Sequence, residues 1–295
     1  MDNPYENSKY LDKLHRDILT IMDEIDRVCR NNSIRYYLMC GSCLGAVRHN
    51  GFIPWDDDLD IAIPRADFDR LIKLITNNSI LDDAFYLRWV TTDQYYNQPF
   101  AKICLKGTIF QEDNGLSAKS AGIFVDIFPL DPCDPYSRFF LFKDRIIRFL
   151  DGCNYYRGAD PCKYDWKLKH WPRNLMGIIF SNRTIYKILR FVIGYLDEQK
   201  ADYQAYFATP YPINRQFFPK NWHGKGRKIL FEGRYYVCPD EAEMYLERIY
   251  GTNYMELPPA NKRKTHYPIR IVFSDGEEML FEAVKNKIDY EDVLD

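Results

Sequence analysis

The stretch Ile53–Ile63, IPWDDDLDIAI, packs four aspartates (Asp56, Asp57, Asp58 and Asp60) into five positions and runs straight into an apolar segment. Like charges side by side raise the cost of ionising one another, so such a run calls for something positive among them. From Asp58 onward the pattern alternates, with Leu59, Ile61 and Ile63 on one side and Asp58 and Asp60 on the other. That is the two-residue period of a strand with an acidic face, which Asp56 joins if the strand begins early enough. Carboxylates converging on one spot suit a hard cation such as Mg²⁺, which takes oxygen ligands and is held by one or two carboxylates together with substrate phosphates. The plain alternative is a solvated acidic turn, the usual fate of a charge run. The alternation with Leu59 and Ile61 weighs against it.

Upstream, Leu11, Leu14, Ile18, Met22, Ile25 and Cys29 recur at helical spacing and predict an amphipathic helix from Lys9 to Arg30, ending at Asn31-Asn32. Ile34–Cys40, IRYYLMC, reads as a short strand. Gly41-Ser42 then opens a short helix, CLGAVRH, closed by Asn50-Gly51. A strand, a Gly-Ser turn and a helix N-terminus place backbone N–H groups where a phosphate can sit. The same turn also reads as C-x-x-C through Cys40 and Cys43, the setting of a thioredoxin-like redox pair. That reading leaves the aspartates unexplained, and zinc is no better, since no second close cysteine pair exists.

Downstream, ADFDRLIKLITNN has helical spacing with Asp67 as a capping candidate. FYLRWV, FAKICLK, TIFQED and AGIFVDIFPLD read as strands. Asp126 lies within that last, otherwise apolar run, where an unpaired carboxylate is costly to bury. It is either a strand-end acid bonded to nearby backbone or a third carboxylate of the site. Beyond Pro132, SRFFLFKDRIIRFL and RTIYKILRFVIGYL mix large apolar residues with Lys and Arg at helical spacing. The tail offers a strand and turn in FEGRYYVCP, a helix in DEAEMYLERIYG and a basic Pro-rich loop, PPANKRKTHYP. The order of elements predicts an α+β fold, a mixed β-sheet flanked by helices. The expected division is a catalytic core over 1–131, an inserted helical, aromatic and basic lobe over 132–215, and a segment over 216–295 that completes the core.

A net charge of -2 over 295 residues argues against a partner bound by neutralising many phosphates, so no nucleic acid is expected. The start, MDNPYENSKYLDKL, lacks the pattern of a secretory leader, and no run of about 18 apolar residues appears, which predicts a cytoplasmic protein. The eight scattered cysteines fit free thiols in a reducing compartment.

GSCLGAVRHNGFIPWDDDLDIAI, followed by RADFDRL, VDIFPLD and a late YG…LPP…H tail, closely resembles the LicD family. Those phosphotransferases are similar to nucleotidyltransferases of the polymerase β type, and the resemblance covers about Leu11–Asp131 and Phe231–Tyr267. It implies transfer of phosphocholine from CDP-choline, or of a related group from another CDP-linked donor, to a hydroxyl of a glycan precursor such as a teichoic acid, capsule or lipopolysaccharide. By that analogy Gly41 and Ser42 hold donor phosphates, and Asp58 and Asp60 bind Mg²⁺, with Mn²⁺ as the alternative ion. Asp126 shares the metal or accepts the proton of the attacking hydroxyl. Asp56 and Asp57 stand in support, Arg48, His49 and Lys102 are candidates for phosphate contacts, and His266 matches a late family histidine. A choline pocket calls for an aromatic cage, for which Trp55 and Trp89 are the nearest guesses. The rival functions are a nucleotidyltransferase using a nucleoside triphosphate and a non-catalytic glycan- or membrane-binding relative. The stretches Ser137–Leu150 and Arg183–Leu196, basic beside broad aromatic faces, suggest a lobe resting on the membrane where a lipid-linked acceptor is presented; an ordinary buried helical pair has the same spacing.

Overall fold

The computed structural model describes residues 8–112, 121–158, 171–194, 196–207, 209, 211–259, 263, 265–266 and 268–281. The opening segment 1–7, Cys162 and part of the basic Pro-rich loop (260–262, 264 and 267) lie outside the described residues. In chain order the elements begin α1 (Ser8–Asn31), β1 (Tyr37–Leu38), α2 (Cys40–His49), β2 (Asp60–Pro64), α3 (Arg65–Asn78), β3 (Phe85–Arg88), β4 (Ala101–Leu105), β5 (Ile109–Glu112) and β6 (Phe124–Cys133). Three helices follow, α4 (Phe140–Gly158), α5 (Trp171–Ile179) and α6 (Asn182–Ile193). The chain continues with β7 (Tyr203–Ala205), β8 (Phe217–Pro219), α7 (Lys220–His223), β9 (Arg227–Phe231), β10 (Arg234–Cys238), α8 (Ala242–Tyr250), β11 (Pro268–Val272) and β12 (Glu278–Leu280).

The central sheet has the order β1-β2-β6-β4-β3, in which β2 and β6 run parallel and the other neighbours antiparallel. This is the mixed α+β architecture expected from the sequence. α1 packs on β4 and β6 and buries Leu11, Leu14, Ile18, Met22, Ile25 and Cys29, the residues whose spacing predicts it. β5 leaves the central sheet to pair with β11, which also pairs with β12. That pairing returns the C-terminal segment across the core and fixes the position of His266, two residues before β11.

Local differences from the sequence reading have physical causes. The strand expected over Ile34–Cys40 shrinks to two residues, because Cys40 turns into α2 with a φ of +45°. The strand expected from Asp58 begins at Asp60, so Asp56 and Asp58 sit in irregular backbone ahead of it. Asp67 does not cap α3, whose N-cap is Pro64; its carboxylate instead accepts from the N–H and the Nε of Arg35, at 3.3 and 2.7 Å.

Helices α4, α5 and α6 enclose a small core of their own, built on Ile147, Leu150, Cys153, Ile185, Leu189 and Ile193. After them β7 pairs with the far end of β6, and β8 with β7, so the chain rejoins the sheet from Tyr203 onward. One buried ion cluster ties this lobe to the core. Asp131 accepts two bonds from Arg65, at 2.7 and 2.8 Å, and a third from Arg190 of α6, at 3.0 Å. All three side chains are buried. Burial opposes the charge of Arg65, and the neighbouring Asp131 outweighs it, so the guanidinium stays protonated. Removing one member of such a cluster strands the others without a counter-charge. Asp131→Asn should therefore cost about 3–5 kcal/mol in urea unfolding, and a loss below about 1 kcal/mol would show that the cluster does not anchor the lobe.

Candidate functional site

The first turn of α2 supplies the backbone of the site. Its leading N–H groups have no partner within the helix, and Gly41 and Ser42 contribute two of them. A Cβ at Gly41 would lie 2.7 Å from the Asp56 carboxylate, which would have to shift to admit it. The Ser42 hydroxyl oxygen accepts from the Asp60 N–H at 2.8 Å, and the Met39 N–H donates to the Asp60 carbonyl at 3.1 Å. The turn and the acidic strand are thus held by each other. Behind the turn, the Cys40 N–H donates to the Tyr245 hydroxyl at 3.0 Å; Tyr245 is hydrogen-bonded to Tyr206, which lies 3.3 Å from His223 Nε2.

The acids meet across two strands. Asp60 of β2 stands directly opposite Asp126 of β6 in the parallel register, and Asp126 stands opposite Lys102 of β4 in the antiparallel one. Lys102 Nζ lies 2.8 Å from Asp126 Oδ1 and 3.2 Å from the centre of the Phe124 ring. Asp57 is buried and accepts from the His266 N–H through both oxygens, at 3.1 and 3.0 Å, and from ring atom Nδ1 at 2.9 Å. The other ring nitrogen, Nε2, faces Asp58 at 3.6 Å. Burial and then repulsion from Asp58 push the Asp56 and Asp60 carboxyls well above the usual range. Burial raises Asp58 against the pull of His266, and raises Asp126 to about 6 against the pull of Lys102. Burial alone would lower His266, but Asp57 and Asp58 outweigh it and hold the ring protonated.

Negative charge is in excess here, and the donors are hard oxygens, so the cluster fits a divalent cation. Among the described residues, Asp57, Asp58 and His266 have ligand atoms within 4.8 Å of one another, of which only the two carboxylates can take a cation while the ring is protonated. Asp60 and Asp126 lie outside that set, opposite each other on β2 and β6, and the charge of Asp58 raises the pKa of both.

The remaining sequence candidates separate. Arg48 donates to the carbonyls of Tyr254 and Glu256 at 2.8 and 3.1 Å, so its guanidinium braces the loop after α8 while staying within electrostatic reach of Asp56. His49 sits beside Arg48, and burial followed by that positive neighbour lowers its pKa. Trp89 is buried in edge-to-face contact with Phe68 and Tyr186 and packs against the core. Trp55 lies under the Arg263 guanidinium at 4.4 Å. Cys40 and Cys43 are free thiols, and burial pushes both well up, the reverse of a reactive redox pair.

Three tyrosines join the site with no sequence signal to single them out among 23. Tyr211 is pushed up to about 12 by burial, by Cys40 and by Asp60, Asp58 and Asp56. Tyr250 is raised by burial and feels the same turn and acids. Tyr96 is buried within reach of Asp126, and its hydroxyl has no partner among the described residues. A cavity of about 530 Å³ lies elsewhere, with Arg35, Tyr37, Lys220, His223 and Gly224 in its wall and none of these acids.

Residues 33–145 match the family model described as LicD/FKTN/FKRP, nucleotidyltransferase domain. The chain is similar to the lipopolysaccharide cholinephosphotransferase LicD of Haemophilus influenzae, at 26% identity over 278 residues, covering 84% of this chain and 92% of that one. It is also similar to an uncharacterised protein of Rickettsia prowazekii, 47% identical over 55 residues, or 19% of this chain and 21% of the other.

Two outcomes follow from these electrostatics. Metal-free Asp60→Asn protein should melt about 2–4 °C above the wild type at neutral pH, because relieving one strained carboxylate is worth about 1 kcal/mol; an unchanged or lower midpoint in scanning calorimetry would contradict the charge excess. Burial pushes His223 down to about 3, so the unfolded chain binds its proton near pH 6.5 while the folded chain refuses it. Stability is fully present above about pH 6.5 and falls by about 1.4 kcal/mol per pH unit below it, toward pH 3. In paired denaturation series, His223→Asn should flatten that slope relative to the wild type.

Proposed function

The chain belongs to the LicD family, and from that premise we propose that it transfers phosphocholine, or a related phospho-group, from a CDP-linked donor to a hydroxyl of a cell-surface glycan precursor. The observation that carries this reading is the pairing of Asp60 with Asp126 across β2 and β6, tied to the first turn of α2 by the bond from the Asp60 N–H to the Ser42 hydroxyl. Phosphoryl transfer asks little covalent help of a protein and much positioning and charge neutralisation.

In this reading the acceptor oxygen attacks the phosphorus that bears choline, the bond from that phosphorus to the oxygen bridging to CMP breaks, and CMP leaves with the electron pair. The N–H groups of Gly41 and Ser42 and the Ser42 hydroxyl proton orient the phosphate oxygens. Asp58 and Asp60 would hold Mg²⁺, with Mn²⁺ as the alternative, and Asp126 stands beside them. Bound there, the ion would neutralise charge on the phosphates. Asp126, raised to about 6, is suited to accept the proton of the attacking hydroxyl near neutral pH. Asp57 orients His266, whose protonated ring faces the acid cluster and adds positive charge where phosphates enter. Arg48 and Tyr250 shape the wall on the Asp56 side. A cytoplasmic reaction is part of this proposal; separately, no helix among the described residues is long and apolar enough to cross a membrane.

The test is CMP release by purified protein given an acceptor glycan extract, with CDP-choline, CDP-glycerol and CDP-ribitol compared, with and without Mg²⁺. Release from the choline donor should require the ion and fall at least about 100-fold in Asp58→Asn. Pyrophosphate from a nucleoside triphosphate, with no CMP from any CDP donor, would make the chain a nucleotidyltransferase instead.

A further inference from the structure

The helical lobe wears much of its apolar surface outward. Among the described residues, ten of the nineteen large apolar side chains that are exposed lie between Tyr136 and Leu196. The clearest case is α5, where Trp171, Leu175, Ile178 and Ile179 form a stripe at helical spacing that faces solvent, while the residues it buries are Asn174 and Gly177. A helix of a water-soluble surface has the opposite arrangement. Ile178 is 73% exposed, and Phe191 on α6 is 78% exposed.

Among the described residues between Tyr136 and Gly194 the exposed charges have one sign, and exposed acids, Asp134 and Asp197, lie only at the two ends of the lobe. On α4 and α6 and the segment leading into α4, the exposed charged side chains described from Tyr136 to Gly194 are Arg138, Arg145, Arg183 and Lys187. The acids described in that span, Asp144 and Asp151, are buried, and Asp144 is paired with Arg148. On α6 the exposed positions Arg183, Lys187 and Phe191 recur every fourth residue, so cations and an aromatic ring share one stripe.

Large apolar side chains whose exposed charged neighbours on α4 and α6 are cations fit a surface that offers hydrocarbon beneath a layer of negative charge. We infer that the α4–α6 lobe docks on the surface of an anionic lipid bilayer, with the Trp171, Ile178, Ile179 and Phe191 side chains entering the interface and Arg138, Arg145, Arg183 and Lys187 meeting the headgroups. The docked lobe stays coupled to the acid site. Arg148 of α4 donates to the carbonyls of Thr209 and Tyr211, at 2.8 and 2.5 Å, and the Tyr211 ring lies within reach of Asp60, Asp58 and Asp56. An acceptor carried on a lipid would then meet the site without leaving the membrane.

The experiment is flotation of the full chain with vesicles of phosphatidylcholine alone and with phosphatidylglycerol added, across a salt series. Partition should require the anionic lipid and weaken as salt rises. The double variant Ile178→Asp, Ile179→Asp should lose at least tenfold in partition coefficient, and Arg183→Glu, Lys187→Glu should lose about fivefold per charge. The substituted residues face solvent, and circular dichroism of each variant confirms that its fold is retained. Failure to float with phosphatidylglycerol vesicles at low salt overturns the proposal, as does flotation that both variants leave unchanged. A dimer in light scattering that Ile178→Asp, Ile179→Asp dissociates, with no vesicle binding, would assign the face to a second copy of the chain and also overturn it. The readout is binding, so it stands or falls independently of CMP release.

Discussion

The placement of Asp60 directly opposite Asp126 on neighbouring parallel strands is the constraint from which the site's construction follows. Adjacent strands lie about 4.8 Å apart, and paired residues point to the same face, so neither carboxylate can turn away from the other without leaving the sheet. Backbone hydrogen bonds hold the register. The repulsion must then be answered by charge brought from elsewhere in the chain. Lys102 arrives on β4, the neighbour of β6 on its far side. His266 arrives from more than 200 residues away, carried in by the β5–β11 pairing. The partners of the acids therefore come from separate parts of the sequence, and the C-terminal segment is needed to complete an acid site that the first half of the chain begins.

That division explains what was legible in the sequence. α1 could be read because its burial follows a local period of about 3.6 residues; the run from Asp60 to Pro64 was read from its alternating residue types, although the strand is buried on both sides after Asp60. Asp58 and Asp60 stood out as charges next to apolar neighbours. Asp56 was read into the site from strand alternation and Asp57 only from the resemblance, yet both residues precede the strand, and they are placed by the Asp56 N–H bonding back to Ile53 and by the anchoring of Asp57 to His266. The His266 contact joins residues 209 positions apart, and no local period carries such information. Tyr211, Tyr245 and Tyr250 were hidden for the same reason, in a chain with 23 tyrosines.

Helix α2 shows how local and distant demands meet in a few residues. Cys40 adopts a positive φ that few side chains tolerate, Gly41 yields space to Asp56, and Ser42 fastens the Asp60 backbone. The Tyr245 hydroxyl takes the Cys40 N–H, which satisfies one of the helix's free donors and leaves the next two for a ligand. A turn that serves a phosphate must be rigid before the phosphate arrives, and bonds to two other elements, β2 and α8, supply that rigidity.

The two aspartates of VDIFPLD show why residue type alone does not assign a role. Asp126 and Asp131 are five positions apart on β6, so the strand turns them to opposite faces. Asp131 meets two arginines in a buried cluster that joins α3 and α6 to the sheet, and its charge is fully answered. Asp126 meets one lysine and stands among other acids, so burial and Asp58 hold its pKa up against that lysine. A carboxylate with its charge fully answered is inert and anchors the fold. One whose charge is only partly answered can exchange a proton or take a further cation, and it is the imbalance of partners across a single strand that separates the anchoring residue from the reactive one.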